Sequence, residues 1–138
     1  MAELNKVSKQ IILGKFCDSQ TLKDIPIRKK ALIISDCEGY EKELFSEYTT
    51  SFLSSHDLII EVHDFLDIEI SSTIKKRFNE THNISTIRSI DDISKVHDYD
   101  YHELKHFTLN QKKDFLSEYR PHIMEWLFMT PKYKVMNK

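Results

Sequence analysis

The segment ALIISDCEGY, residues 31–40, carries the strongest structural signal in the sequence. Its first four residues are continuously apolar, which is typical of a strand buried on both faces of a parallel sheet. The polar residues 35–39 follow as a turn. Beyond the turn, large apolar side chains recur at every fourth position: Tyr40, Leu44, Tyr48 and Phe52. This spacing predicts a helix over residues 40–53.

A second strand–helix unit follows the first. Residues 58–62, LIIEV, are interpreted as another buried strand, which ends at His63. Apolar residues at helical spacing then predict a helix over residues 67–80. The alternation of strand, helix, strand and helix predicts a parallel sheet with right-handed crossovers.

Upstream of these units, the sequence predicts a further strand and a short helix. The apolar run Ile11-Ile12-Leu13 ends at a glycine and is interpreted as a strand. Residues 15–24 are expected to form a loop with a short helix, for which Ser19 is the candidate N-cap.

Downstream, the pattern is less regular. Residues 84–90 and 123–129 are predicted to be strands, because the first is β-branched and partly alternating and the second is apolar. Asp91 and Asp92 are candidate caps for a short helix over residues 93–96.

A last helix is expected over residues 111–119, with Phe115, Leu116 and Tyr119 facing the core and Pro121 ending it. Together with the units before it, this helix completes an α/β domain whose last strand, after Pro121, is expected to be antiparallel.

The composition is that of one globular domain spanning residues 1–138, with frayed ends expected at 1–8 and 132–138. Hydrophobic residues make up 40% and charged residues 30%, which excludes a disordered chain. The net charge of −2 indicates no affinity for nucleic acid or an anionic membrane. The polar N-terminus and the lack of an apolar run of about 20 residues predict a cytoplasmic protein. Both cysteines are expected to be reduced thiols.

The chain contains only two glycines, Gly14 and Gly39. Loops that hold phosphates or dinucleotides need several glycines, so that backbone N–H groups can approach the ligand. No glycine-rich nucleotide loop is therefore expected within this sequence.

Acidic and histidine residues follow the two central strands. Asp36 and Glu38 come after the first, while Glu61, His63 and Asp64 end the second. Ligands of open α/β sheets bind outside the carboxyl ends of the strands, so neighbouring strands would place these side chains in one cleft.

Such a group can bind a divalent metal or supply a general base. The simpler alternative is structural: Asp36 caps the following helix, Glu38 lies in its first turn, and the other residues make ordinary hydrogen bonds. The residue pattern leaves both interpretations open.

The segments ALIISDCEGYEKELF (31–45) and DLIIEVHDF (57–65) resemble the FkbM-like group of class I S-adenosylmethionine-dependent methyltransferases, in which a strand ends in Asp-x-Glu-Gly-x-Glu. RFNETHNIS (77–85) and EWLFMTPK (125–132) are similar to its C-terminal region, though less specifically. The resemblance covers roughly residues 25–132. It implies a three-layer, mostly parallel sheet, the C-terminal half of a Rossmann-like methyltransferase.

The resemblance also implies roles for individual residues. It places Asp36 and Glu38 on the cleft floor near the methyl donor, and assigns Glu61 and Asp64 to substrate binding. Asp36, Glu38 and His63 become the candidate catalytic residues, with Asp36 also contacting the cofactor, and no residue is a metal ligand. The implied reaction is methyl transfer to an oxygen or nitrogen of a small-molecule or glycan-type acceptor.

The sequence departs from that group in one respect. The group's glycine-rich cofactor loop and ribose-binding acid lie upstream of the resembled part, and neither is found here. We therefore expect a partial domain that is inactive alone and works as a homodimer or with a missing N-terminal half.

Two other classes of function remain open. Half a sheet leaves an open edge and a bare apolar face, which predicts a non-catalytic module for dimerisation or partner binding. The second class is a metal-dependent hydrolase. It would use either the carboxylates that follow the two central strands or the segment His102-Glu103-Leu104-Lys105-His106, which matches HExxH literally. That match lies in the polar segment 97–108, which is predicted to be a long loop.

Overall fold

The computed structural model describes residues 1–120 and 122–132. Its strands are β1 (Leu32–Ser35), β2 (Asp57–Val62), β3 (His82–Arg88) and β4 (Glu125–Pro131). Its α-helices are α1 (Ser19–Asp24), α2 (Glu41–Leu44), α3 (Glu47–Leu53), α4 (Ile70–Phe78), α5 (Asp92–Asp98) and α6 (Leu109–Leu116). Two short 3₁₀ helices span Ser8–Gln10 and His102–Leu104.

The four strands form one sheet in the order β1-β2-β4-β3. β1 and β2 pair in parallel, whereas β4 is antiparallel to both β2 and β3. The predicted α/β class and antiparallel last strand are confirmed. The mostly parallel pairing is wrong, because β4 inserts between β2 and β3 and separates two strands that run in the same direction.

One face of the sheet carries the core. Leu58 and Ile60 of β2 and Leu127 and Met129 of β4 are buried there against apolar residues of α1 to α4. This one-sided burial follows from the alternation of side chains along each strand, which the burial pattern of β2 shows directly.

The opposite face is largely bare in the described residues. Leu32 and Ile34 of β1, Ile87 of β3 and Phe128 of β4 point to that face and are 53%, 70%, 52% and 37% exposed. A three-layer arrangement requires helices packed against both faces of the sheet, and at these positions no described helix covers the second face. The bare apolar face expected of half a sheet is present.

Most central elements lie where the sequence predicts them, and Asp91 caps α5 by accepting hydrogen bonds from the N–H groups of Ile93 and Ser94. The helix predicted over residues 40–53 is instead two helices, α2 and α3, that break at Phe45. Thr49 stabilises the break, since its hydroxyl donates to the carbonyls of Leu44 and Ser46.

Three local predictions are wrong. Ile11-Ile12-Leu13 forms no strand, and all three side chains are exposed. Asp18 caps α1 in place of Ser19, whose hydroxyl donates to the carbonyl of Glu43.

The third wrong prediction concerns the last helix. Phe115 and Tyr119 are 64% and 78% exposed, whereas Leu116 is half-buried.

The segment 97–108, predicted to be a loop, includes the 3₁₀ helix His102–Leu104 in addition to loop. The predicted helix stop at Pro121 lies outside the described residues, and so does the segment 132–138, predicted to be frayed, except for its first residue. None of the described helices has the length and apolar character to cross a membrane.

Candidate functional site

The carboxyl ends of β1 and β2 bring three predicted site residues together. Asp36 directly follows β1 and His63 directly follows β2, and the parallel pairing places both ends at one edge of the sheet. His63 Nε2 lies 3.5 Å from Asp36 Oδ1 and 3.6 Å from Glu38 Oε2. We call these three residues the His63 cluster. Its imidazole is only 2% exposed, whereas the two carboxylates are open to solvent.

Glu41 holds the imidazole from the other side. Its Oε1 lies 2.5 Å from His63 Nδ1 and accepts a hydrogen bond from the Gly39 N–H at 3.2 Å. Glu41 is fully buried, and its Oε2 has no hydrogen-bond partner among the described residues. The sequence analysis missed this role. The available signal was its position as the last acid of DCEGYE.

The turn between β1 and α2 directs Glu38 toward His63. Glu38 and Gly39 both have left-handed backbone, with φ of 52° and 96°. Tyr40 is the N-cap of α2 and makes no side-chain capping bond. The structural alternative for the two acids is therefore wrong: Asp36 does not cap the helix, and Glu38 precedes its first turn.

Replacing Gly39 by alanine is expected to lower the free energy of unfolding by about 1–3 kcal/mol. At φ +96°, the added Cβ would also lie 2.9 Å from Leu66 Cδ1. Gly14→Ala is the matched control, because a Cβ there meets nothing within 4 Å and its backbone is not left-handed. Urea denaturation followed by circular dichroism measures both variants. Equal stability of the two would show that the turn tolerates a side chain.

Cys37 lies within the same turn and is half-buried. Burial raises the pKa of its thiol to about 11, against the lowering effect of the Ser35 hydroxyl, which donates to the sulfur. A thiol with this pKa stays protonated at neutral pH. It packs against the core.

Glu61 and Asp64 lie outside the His63 cluster. The carboxylate of Glu61 accepts hydrogen bonds from Arg120 Nη1 at 3.0 Å and Trp126 Nε1 at 3.1 Å. The carboxylate of Asp64 accepts from the N–H and hydroxyl of Ser71, at 2.8 and 2.5 Å, near the start of α4. Both side chains thus stabilise neighbouring elements, and their substrate-binding role stays a prediction.

An apolar groove of about 730 Å³ runs along the edge strand β1 and ends at the cluster. Its wall includes Phe16, Ile25, Leu32 and Tyr40, and Asp36 and Glu38 lie at its polar end. On the other side, the ring of Phe65 packs edge-on to His63 at 5.6 Å and covers the imidazole. Asp36 and Glu38 thus line an accessible cavity, whereas the buried His63 is not among the residues that line it.

The HExxH match does not form a comparable site. Its two histidines are exposed, and its first three residues form the 3₁₀ helix His102–Leu104 in place of the α-helix that such a motif requires. A group of three or more potential metal ligands with atoms close enough to share an ion occurs once within residues 1–120 and 122–132. It consists of Asp36, Glu38 and His63, whose ligand atoms all lie within 4.8 Å of one another.

No protein-family model, curated protein or solved structure matches this chain. The geometry of the His63 cluster and the resemblance of its motif are therefore the indications of its class.

Proposed function

We propose that this chain carries the acceptor side of a methyl-transfer site that uses S-adenosylmethionine. One observation carries the proposal: a buried imidazole, held by Glu41, faces Asp36 and Glu38 at the carboxyl ends of two parallel strands. In open α/β sheets this edge is where ligands bind. The antiparallel last strand, and the match of Asp36, Glu38 and Gly39 to the methyltransferase motif, support the same conclusion.

Methyl transfer would require two things of these residues: accepting a proton and orienting the acceptor. When bound, S-adenosylmethionine supplies an electrophilic methyl group on a positively charged sulfur. The acceptor oxygen or nitrogen must lose a proton as its new bond to the methyl carbon forms, so a base has to lie within hydrogen-bond reach. His63 Nε2 faces the cleft because Glu41 engages Nδ1, so His63 is the candidate proton acceptor. Asp36 and Glu38, which are exposed, can orient acceptor hydroxyl groups.

The groove along β1 suits the methyl donor in two respects. Its mostly apolar wall can pack against an adenosine, and the carboxylates of Asp36 and Glu38 at its end favour a positive sulfur by Coulomb attraction. The groove has no glycine-rich loop to hold the cofactor, because the sequence contains only Gly14 and Gly39, which lie far apart in the chain. We therefore expect weak binding to this chain, with a dissociation constant on the order of 1 mM.

The proposal predicts chemical-shift changes when S-adenosylmethionine is titrated into the ¹⁵N-labelled chain to millimolar concentrations. The amides of residues 35–39 and of Phe16 should shift together, and methionine alone should not move them. Asp36→Asn should weaken the response, while Asp100→Asn, at a surface position remote in sequence, should leave it unchanged. Absence of shifts at these amides would contradict the methyl-transfer site.

A second candidate function, a partner-binding module, is favoured by the bare apolar face. Leu32, Ile34, Ile87 and Phe128 expose apolar surface on one face of the sheet, and β1 is an edge strand. Exposed apolar surface and open edges mark interaction surfaces on soluble proteins. The molecular mass in solution, measured by light scattering during the same titration, separates the two candidates. A stable dimer without ligand-induced shifts would favour the module.

A further inference from the structure

We propose that Asp36, Glu38 and His63 bind a single divalent transition-metal ion, such as Zn²⁺ or Mn²⁺, through two carboxylate oxygens and the imidazole Nε2. The three donor atoms already lie within 4.8 Å of one another. Two metal ligands at bond lengths of about 2.0–2.3 Å are separated by roughly 3–4 Å, so small side-chain rotations suffice.

The buried histidine separates this cluster from an ordinary group of surface acids. His63 is 2% exposed, and the contacts of its Nε2 within the described residues are those to Asp36 and Glu38, at 3.5 and 3.6 Å. Both distances exceed those of a good hydrogen bond. One ring nitrogen of a buried histidine thus lies near two carboxylates without bonding well to either.

Glu41 supplies the outer-shell partner that metal-binding histidines normally have. Histidine ligands almost always give their second ring nitrogen to a carboxylate or carbonyl, which fixes the ring and makes the metal-binding nitrogen more basic. The contact between Glu41 Oε1 and His63 Nδ1, at 2.5 Å, has this arrangement. When Nδ1 donates to Glu41, the lone pair of Nε2 points toward Asp36 and Glu38.

The local charge favours a cation independently of this geometry. Three carboxylates surround one imidazole, and that of Glu41 is fully buried with Oε2 unpaired among the described residues. The nearest basic side chain in sequence, Lys42, pairs instead with Asp67 and Glu69. Buried negative charge without a partner is costly, and a divalent ion on Nε2 would offset it.

The donor set selects the class of ion. One nitrogen and two carboxylate oxygens suit borderline ions such as Zn²⁺ and Mn²⁺. Ca²⁺ prefers six to eight oxygen ligands, and Mg²⁺ keeps most of its water, so neither gains from the imidazole. Because both acids are exposed, further coordination positions remain open to water or to an acceptor oxygen.

This inference does not rest on methyl transfer, since it concerns a cation and no cofactor. The two proposals do interact, because an ion on Nε2 prevents that atom from accepting a proton. An ion would instead lower the pKa of an oxygen bound to it. Metal binding and cofactor binding are measured separately, so either can fail alone.

The test is calorimetric titration of the full chain with Zn²⁺ alone, together with Mn²⁺ titration monitored by NMR. We expect one ion per chain, and paramagnetic broadening centred on the imidazole protons of His63. Asp36→Asn and Glu38→Gln should each weaken Zn²⁺ binding at least tenfold. Because both side chains are exposed, neither variant endangers folding.

The control variants are His102→Gln and His106→Gln, which change exposed histidines of the HExxH match. They should leave the His63 site unaffected. The proposal is overturned if no ion binds at millimolar concentration, or if binding persists in Asp36→Asn and Glu38→Gln but is lost in these controls.

Discussion

Replacing Glu41 by alanine is expected to lower the free energy of unfolding by about 2–4 kcal/mol, because it leaves a buried hydrogen-bonding group unpaired and opens a cavity. Glu41 and His63 are both buried, and their contact at 2.5 Å joins α2 to the end of β2. The alanine leaves His63 Nδ1 without its partner, removes the acceptor of the Gly39 N–H, and creates a cavity. Urea denaturation followed by the fluorescence of Trp126, the single tryptophan, measures the change.

Two variants make this result interpretable. Glu43→Ala removes an exposed acid from the same helix and should change stability by no more than about 0.5 kcal/mol. Glu41→Gln keeps the shape of the side chain and a hydrogen-bonding oxygen, so it should fold. We expect it to lower Zn²⁺ affinity about 10- to 100-fold, as the loss of an outer-shell carboxylate does elsewhere. If Glu41→Ala and Glu43→Ala are equally stable, Glu41 does not hold His63 in place.

The centre of the fold could be predicted because its signals are local. Residues 31–34 and 58–62 are unbroken apolar runs, and a parallel pair places both carboxyl ends at one edge. That inference predicts one cleft for five side chains, of which Asp36, Glu38 and His63 come together, whereas Glu61 and Asp64 lie outside. Glu41 could not be predicted in the same way, because acidic side chains are almost never fully buried unless paired.

The errors arise where the outcome depends on distant residues. The position of β4 between β2 and β3 is a long-range pairing that no short pattern encodes. Ile11-Ile12-Leu13 has strand composition, but no neighbouring strand pairs with it among the described residues. Phe115 has helical spacing, yet spacing alone does not determine which face of a helix meets other elements.

Replacing Phe78 by alanine is the second change expected to have a large effect, with a loss of about 3–5 kcal/mol in the free energy of unfolding. Phe78 is fully buried in α4, and its ring packs edge-on against Phe45 at 6.2 Å and His82 at 5.2 Å. These contacts join α4 to the α2–α3 break and to β3. The alanine removes them and leaves a cavity that the surrounding sheet and helices cannot close.

The matched control is Phe115→Ala, because Phe115 also lies in a helix and packs edge-on against one aromatic ring, that of Phe107, at 5.1 Å. It is 64% exposed, so its removal should cost about 1 kcal/mol or less. Thermal and urea denaturation of the two variants compare a core aromatic with a surface one. Near-equal losses would mean that α4 does not pack on the sheet as described, and the edge that positions His63 would lose its support. A large difference would support α1 to α4 as the layer that stabilises this edge of the sheet.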